Sequence, residues 1–309
     1  MDRPTGTFSG NKIKKTAGEI IFDSLNVLFF VLCMLIMLFP FFNMIAISLT
    51  SNGEFMGRPY IIFPRAPTLE AYRYMFSTAL IPRAYMVTLT ITLAGTFLST
   101  LVTSMLAYGL SKNTLHGHKF FMIMLLITMF FSGGLIPNYY NITNTLQMGN
   151  TLYALFVPNT VSVFNFIIIR SFFRQLPPSL EESAKIDGAN DVTILFRIVY
   201  PLSIATLATI AMFVAVGLWN SWFAAQLYIR DEKKYPLQLV IRNYIVRESR
   251  PADMQNMEGL RDAAGKRLYL NETGLKMACA VASVLPVLLI YPFIQKYFEK
   301  GVTIGAVKG

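Results

Sequence analysis

His116 and His118 are the only two histidines of the chain, and they lie close together in the segment LHGHK. Two imidazoles at this spacing could bind a metal ion or act in acid–base catalysis if further ligands or an orienting carboxylate accompanied them. The flanking sequence offers no cysteine, aspartate or glutamate, so the spacing matches no metal or nucleophile arrangement. We therefore interpret the pair as part of a solvated loop and predict no metal site.

A second segment, GLRDAAGKRL, has the composition of a phosphate-binding loop. Such a loop needs four residues between its two glycines and a serine or threonine directly after its lysine. Here five residues separate Gly259 from Gly265, and Arg267 follows Lys266. We therefore predict that the chain has no ATPase site, is not an enzyme and binds no cofactor itself.

The elements that carry these loops are predicted to cross a membrane. The chain has 309 residues, of which 54% are hydrophobic and 14% charged, whereas soluble domains carry about 25% charged residues. A helix needs about 20 apolar residues to cross a bilayer. Stretches of this kind cover residues 24–49, 86–111, 120–140, 151–170, 200–228 and 276–296. We therefore predict an all-α integral membrane protein with six transmembrane helices.

The interiors of these stretches contain no Asp, Glu, Lys, Arg or His. An ion-coupled secondary carrier usually keeps an ionisable group at membrane depth, because a proton or Na⁺ needs such a site. Their absence argues against a secondary carrier, which is the alternative function. The second stretch has a small residue at every fourth position, which favours close packing of helices: Gly95, Ser99, Thr103, Ala107 and Ser111.

The distribution of lysine and arginine predicts the orientation of the chain, because positive charge in short loops resists translocation. Lysines flank the first and last apolar stretches, whereas residues 138–150 contain neither lysine nor arginine. We predict a multi-pass protein of the plasma or inner membrane with both termini in the cytoplasm. Its parts are a cytoplasmic segment 1–23, a transmembrane domain 24–298 and a cytoplasmic tail 299–309. The net charge of +10 then reflects topology and contact with anionic lipid, and no nucleic-acid partner is expected.

One charged segment interrupts the apolar pattern: PPSLEESAKIDGANDVTILFRIVYP, residues 177–201. Its two prolines end the preceding helix, and Ser179 with Glu182 predicts a capping box that starts a short new helix. Gly188 is placed to end that helix after about two turns, and Asn190 can cap a second one. From these residues alone, an amphipathic loop at the membrane interface and a docking elbow are equally open.

The same segment resembles the EAA loop of permease subunits in binding-protein-dependent ABC importers. The shared pattern consists of Glu182-Ser183-Ala184, Gly188, Ile198 and Tyr200-Pro201, with Ser183 in place of the usual alanine and Tyr200 in place of the usual leucine. The neighbouring KIDGA and YPLS sequences resemble the carbohydrate-uptake class. The C-terminal KGVTIGAVKG is similar to the tail of the second maltose-type permease subunit.

The resemblance covers nearly the whole chain and implies a type I ABC importer permease fold with a cytoplasmic coupling helix. The residues that it assigns to ATPase coupling are Glu182, Ser183, Ala184, Asp187 and Gly188. The tail from Gly305 to Gly309 would reach the ATPase interface, although a glycine-rich end is on its own more often disordered. The implied partners are a second, different permease chain, two ATPase subunits that hold ATP and Mg²⁺, an extracytoplasmic solute-binding protein and a sugar, expected to be an oligosaccharide.

Two features of the predicted outer face could contact the sugar or the binding protein. Trp219, Asn220 and Trp222 combine indole faces that can stack on sugar rings with an amide that can bind hydroxyl groups; interfacial aromatic packing is the alternative. The long extracytoplasmic loop 229–275 mixes positive and negative charge. Such a surface suits docking of the binding protein, and a solvated loop is the alternative.

Overall fold

The regular structure of the protein is helical. The computed structural model describes residues 16–57, 61–77, 79–112, 115–246 and 272–306. Within these ranges the only extended pairing is an isolated bridge between Thr50 and Pro67. The predicted all-α class is confirmed, and its physical reason is that a helix satisfies its own backbone N–H and C=O groups inside hydrocarbon.

Helices of very different length follow one another along the chain. The α-helices of the described residues are α1 (Ala17–Ser48), α2 (Asn52–Gly57), α3 (Glu70–Ser77), α4 (Leu80–Ser111), α5 (His118–Phe130), α6 (Leu135–Tyr140), α7 (Val163–Phe173), α8 (Pro178–Ile186), α9 (Asp191–Ile194), α10 (Tyr200–Leu202), α11 (Ile204–Trp219), α12 (Phe223–Tyr228), α13 (Leu237–Val246) and α14 (Glu272–Ala306). Segments of π-helix occupy Asn141–Thr145 and Leu195–Val199, and 3₁₀ turns occupy Leu152–Leu155 and Glu232–Lys234.

Three helices are long and apolar enough to span a membrane alone: α1, α4 and residues 273–290 of α14. Two bent pairs of helices are each apolar and long enough to form one further span or a re-entrant segment. His118–Phe130 and Leu135–Thr145 meet at 113°, and Asp191–Leu202 and Ile204–Trp219 meet at 86°. By length and composition the described residues therefore provide three spans, or up to five with the bent pairs, and the predicted count of six is not confirmed.

The predicted fourth span, residues 151–170, is not one continuous helix. A 3₁₀ turn at Leu152–Leu155 is followed by irregular backbone, and α7 begins only at Val163. Pro158 lies in the irregular part. Proline has no backbone N–H and keeps the preceding residue out of the helical region, so an apolar stretch containing it need not form one helix.

The small-residue stripe of α4 packs inside the subunit. Gly95, Ser99, Thr103 and Ala107 are all buried. A Cβ atom at Gly95 would lie 2.6 Å from Leu218 Cδ1 and 2.8 Å from Phe156 Cβ. Ser99 Oγ donates to the carbonyl of Thr160 at 2.7 Å. The stripe therefore brings α11 and the irregular segment before α7 against α4.

A second packed region lies where α4, α7, α9 and α11 meet. Its fully buried side chains include Phe166, Ile169, Ile194 and Ile210. By contrast, most large side chains of α1 are exposed; Ile36, for example, is 72% exposed. Lipid chains can cover the exposed apolar side chains of α1. The packed region forms the buried base of the charged segment at residues 177–201.

Candidate functional site

Helix α8 begins differently from the sequence prediction. Its first residue is Pro178, its N-cap is Pro177, and no side chain caps the start. The predicted capping box of Ser179 and Glu182 is therefore wrong, because both residues already lie inside the helix. Proline is well suited to the first helical position: its φ is fixed near the helical value, and the N–H that it lacks would have no partner there.

The end of α8 agrees with the prediction. Gly188 has a positive φ of 83°, its N–H donates to the carbonyl of Lys185 at 3.0 Å, and the N–H of Ala189 donates to the carbonyl of Ala184 at 2.9 Å. These two bonds form a Schellman motif, which closes a helix and turns the chain sharply. The positive φ explains why glycine stands at position 188.

The second helix of the segment starts as predicted. Asn190 Oδ1 accepts a hydrogen bond from the backbone N–H of Thr193 at 2.8 Å. The chain then continues through α9 and π-helical residues that bury Ile194, Leu195 and Val199 in the packed region. The two helices form a compact elbow, and residues 177–201 are called the elbow below.

The five predicted coupling residues lie together on α8 and its C-terminal turn. Glu182, Ser183, Asp187 and Gly188 are exposed, whereas Ala184 is half-buried and packs with Ala189 against the packed region. Beside them Ile186, an apolar residue, is 87% exposed. Within the described residues this side chain therefore projects into solvent. The surface is an apolar side chain surrounded by carboxylates and a hydroxyl.

An ion pair that the sequence did not predict joins the elbow to α4. Glu181 accepts from the ammonium group of Lys112, and this ammonium also lies 4.3 Å from the centroid of the Tyr108 ring. Within the elbow, Lys185 Nζ lies 3.3 Å from Asp191 Oδ1. Burial, followed by repulsion from Lys185, lowers the pKa of Lys112. Glu181 and Lys112 are 69 residues apart, so no local spacing could have indicated this contact.

The histidine pair is only partly the solvated loop that we predicted. His116 is exposed, but His118 is half-buried, and its Nε2 lies 3.0 Å from Arg170 Nη2. Arg170 Nε also donates to the carbonyl of Leu110 at 2.7 Å. These two contacts connect the last turn of α4 and the first residue of α5 to α7, next to the elbow.

The three predicted substrate-path residues occupy different environments at the far end of α11. Trp219 is 6% exposed, and its indole N–H donates to the carbonyl of Ser283 at 3.1 Å. Asn220 is exposed, and its Nδ2 donates to the carbonyl of Val216 at 3.0 Å. Trp222 is half-buried and lies under the guanidinium of Arg242. The structure thus leaves Asn220 and Trp222 accessible and makes Trp219 part of the core.

A cavity next to Trp219 is almost entirely apolar. It is lined by Thr92, Met212, Ala215, Val216, Trp219, Pro286, Val287 and Ile290. A sugar needs several hydrogen-bonding partners when it leaves water, and this lining does not supply them. Of the predicted tail, Gly305 lies in the last turn of α14, and Gly309 lies outside the described residues.

The apolar helices and the bent helix pairs are those of a multi-pass membrane protein, and comparison with known proteins shows its family. Residues 83–304 match the family described as the binding-protein-dependent transport system inner membrane component. The chain belongs to this family and is a non-catalytic transport subunit of an ABC importer. The match supports the importer over the secondary carrier, because the family is defined by dependence on a binding protein.

Individual relatives match more than nine-tenths of the chain. It is 40% identical over 289 residues to the polygalacturonan/rhamnogalacturonan transport system permease protein YtcP of Bacillus subtilis, which covers 94% of this chain and 99% of that protein. It is 28% identical to the trehalose/maltose transport system permease protein MalG of Thermococcus litoralis, over 94% of this chain and 99% of that protein. A solved bacterial ABC transporter involved in the import of the acidic polysaccharide alginate contains a chain with 28% identity and a TM-score of 0.84, over 93% of this chain and 100% of that chain.

Proposed function

We propose that this chain forms part of the translocation path of an ATP-driven importer for an oligosaccharide. The observation that carries the proposal is the elbow. Its closed helix presents exposed carboxylates and the most exposed apolar side chain of the elbow, Ile186, on a buried base. Support for a sugar substrate comes from the relatives, because the substrates in their names are polysaccharides or oligosaccharides.

The elbow has the properties of a mechanical link. Ile186 is surrounded by Glu182, Ser183 and Asp187, which is the arrangement of a small docking site: an apolar anchor within a polar rim. Its base packs against α7 and α11 and is ion-paired to the end of α4. A force applied by an ATPase subunit to Ile186 would therefore reach three helices at once.

The proposed assembly contains a second, different permease chain, two ATPase subunits that hold ATP and Mg²⁺, and an extracytoplasmic solute-binding protein. In this arrangement the elbow and both termini face the cytoplasm. Helix α11 leads away from the elbow, so the segment around Trp222 and the loop 229–275 face the binding protein. Residues 247–271 of that loop lie outside the described residues, and their docking role stays a prediction.

The test removes the apolar anchor without disturbing the fold. Ile186→Ser changes a side chain that is 87% exposed, so membrane insertion and assembly should be preserved. Burial of an isoleucine side chain in a partner is worth about 1.5–3 kcal/mol, so we expect sugar uptake and binding-protein-stimulated ATP hydrolysis by the complete transporter in vesicles to fall about ten-fold or more.

The matched control is Ile62→Ser, which alters an isoleucine that is 60% exposed outside the elbow. It should leave uptake within two-fold of the wild type. Unchanged uptake and stimulated hydrolysis in Ile186→Ser, at normal levels of assembled transporter, would refute the coupling role of the elbow.

A further inference from the structure

A polar and aromatic cluster lies at the end of α11 opposite the elbow. The 16 residues of α11 span about 24 Å at 1.5 Å per residue, so the cluster is remote from the coupling surface. It is formed by the residues after α11, by α12 and by α13, and consists of Asn220, Trp222, Gln226, Gln238 and Arg242. Only Asn220 and Trp222 were predicted from the sequence.

Arg242 is fixed in place by uncharged neighbours. Its guanidinium carbon lies 4.2 Å from the centroid of the Trp222 ring, and its Nη1 donates to Gln226 Oε1 at 3.0 Å. In the described parts of the chain, no acceptor contacts Arg242 Nε or Nη2, and no carboxylate lies within ion-pair distance of this guanidinium. Within the described ranges, two parallel N–H donors of Arg242 therefore have no acceptor.

Two lysines near the elbow differ from Arg242, because each pairs with a carboxylate: Lys112 with Glu181 and Lys185 with Asp191. The stacking of Arg242 on Trp222 and its bond to Gln226 orient its positive charge without neutralising it. A planar guanidinium with two free donors matches the two oxygens of a carboxylate, and stacking on an aromatic ring reduces the entropy lost when it binds.

Amide groups beside Arg242 suit the rest of a sugar. Asn220 is exposed, and Gln238 Nε2 lies 3.5 Å from its Oδ1, which is a weak contact that a hydroxyl group can replace. Trp222 is half-buried, and its exposed part adds aromatic surface beside Arg242. Cation, amides and indole lie within one accessible patch, in contrast to the apolar cavity next to Trp219.

We propose that Arg242, held by Trp222 and Gln226, binds the carboxylate of a uronic acid unit, so that the transported oligosaccharide is acidic. This inference rests on the proposed function, since it names the class of sugar that passes the outer end of α11. Arg242 is a specificity-determining residue that contacts substrate, and Trp222 and Gln226 are the residues that position it.

The test compares a charged and an uncharged form of one sugar. The complete transporter, with its binding protein in excess, is reconstituted in vesicles that contain ATP, and uptake of labelled trigalacturonate is measured beside that of its fully methyl-esterified, uncharged form. The variants are Arg242→Gln and Arg242→Lys. The control is Arg83→Gln, which removes the charge of an exposed arginine in the first turn of α4, outside both the cluster and the loop 229–275.

We expect Arg242→Gln to lower trigalacturonate uptake about 10- to 100-fold, the range that corresponds to loss of hydrogen bonds to a charged group. Uptake of the methyl ester should change less than two-fold, Arg242→Lys should restore part of the uptake of the acid, and Arg83→Gln should match the wild type. If the binding protein delivers only the acid, the acid and the ester cannot be compared, but delivery of the acid alone supports acid specificity. The role of Arg242 is then decided by Arg242→Lys, which should take up more acid than Arg242→Gln.

Two results with the Arg242→Gln variant would overturn the inference. One is unchanged uptake of the acid in Arg242→Gln. The other is an equal loss of acid and ester, which would indicate a role in folding, lipid contact or docking. A wild-type transporter that imports neutral trigalactose but not trigalacturonate would refute acid specificity and leave sugar import standing. A transporter that imports no sugar in the presence of ATP would refute the proposed function as well.

Discussion

At the scale of single residues, Gly188 determines the shape of the elbow. Its φ of 83° is readily adopted by glycine and costs other residues roughly 1–2 kcal/mol. Gly188→Ala should therefore loosen the last turn of α8 and shift the elbow away from its docking geometry. We expect sugar uptake by the complete transporter to fall about five-fold or more, since one or two kcal/mol changes an equilibrium by about 5- to 30-fold.

Gly109→Ala is the matched control for this prediction. Gly109 lies in α4, no atom lies within 4 Å of a Cβ built on it, and its φ is not positive. The added methyl group should leave uptake unchanged. Equal activity of the two alanine variants would contradict the importance of the closed elbow.

The sequence predicted contacts between residues that are close along the chain. Gly188 and Asn190 bond to groups within five residues of themselves, so their roles follow from local spacing. The pairs Lys112–Glu181 and His118–Arg170 join residues 69 and 52 positions apart. Such pairs depend on how the helices pack, and this information is not contained in any local pattern.

At the scale of elements, helix α4 packs against three other helices, α7, α11 and α13. Gly95 makes this packing possible, because Leu218 and Phe156 occupy the space of its missing side chain. Gly95→Ala should displace α11 and cost about 1–3 kcal/mol, as overpacked cores do. We expect a lower apparent melting temperature of the purified transporter, with Gly109→Ala again as control. A Gly95→Ala variant as stable as the wild type would contradict the close approach of α4 and α11.

Hydropathy predicted the straight membrane helices better than the bent ones. The first two stretches, 24–49 and 86–111, correspond to α1 and α4, whereas residues 120–140 and 200–228 each fall on helices that turn sharply. Hydropathy gives the length of an apolar stretch but not its direction. Pro158 and the pair Gly133–Gly134 mark places where direction changes, and only their packed surroundings decide whether a helix continues, bends or stops.

At the scale of the whole molecule, the chain works as one part of a transporter. Its sequence contains no complete phosphate-binding loop, and the interiors of the predicted spans contain no charged residue. The chain belongs to a binding-protein-dependent importer family. The exposed surface around Ile186 precedes α11, and the Arg242 cluster lies at its other end. In the proposed mechanism, the ATPase subunit would act on one end of α11 and the substrate would bind near its other end.

Uptake of labelled oligosaccharide into vesicles tests this account most directly. The complete assembly is compared with this chain alone, with and without enclosed ATP, and with proton and Na⁺ gradients imposed or collapsed. We predict ATP-dependent accumulation by the complete assembly that ionophores do not affect, and no uptake and no ATP hydrolysis by the chain alone. Gradient-driven uptake by the chain alone would contradict the account and restore the secondary carrier.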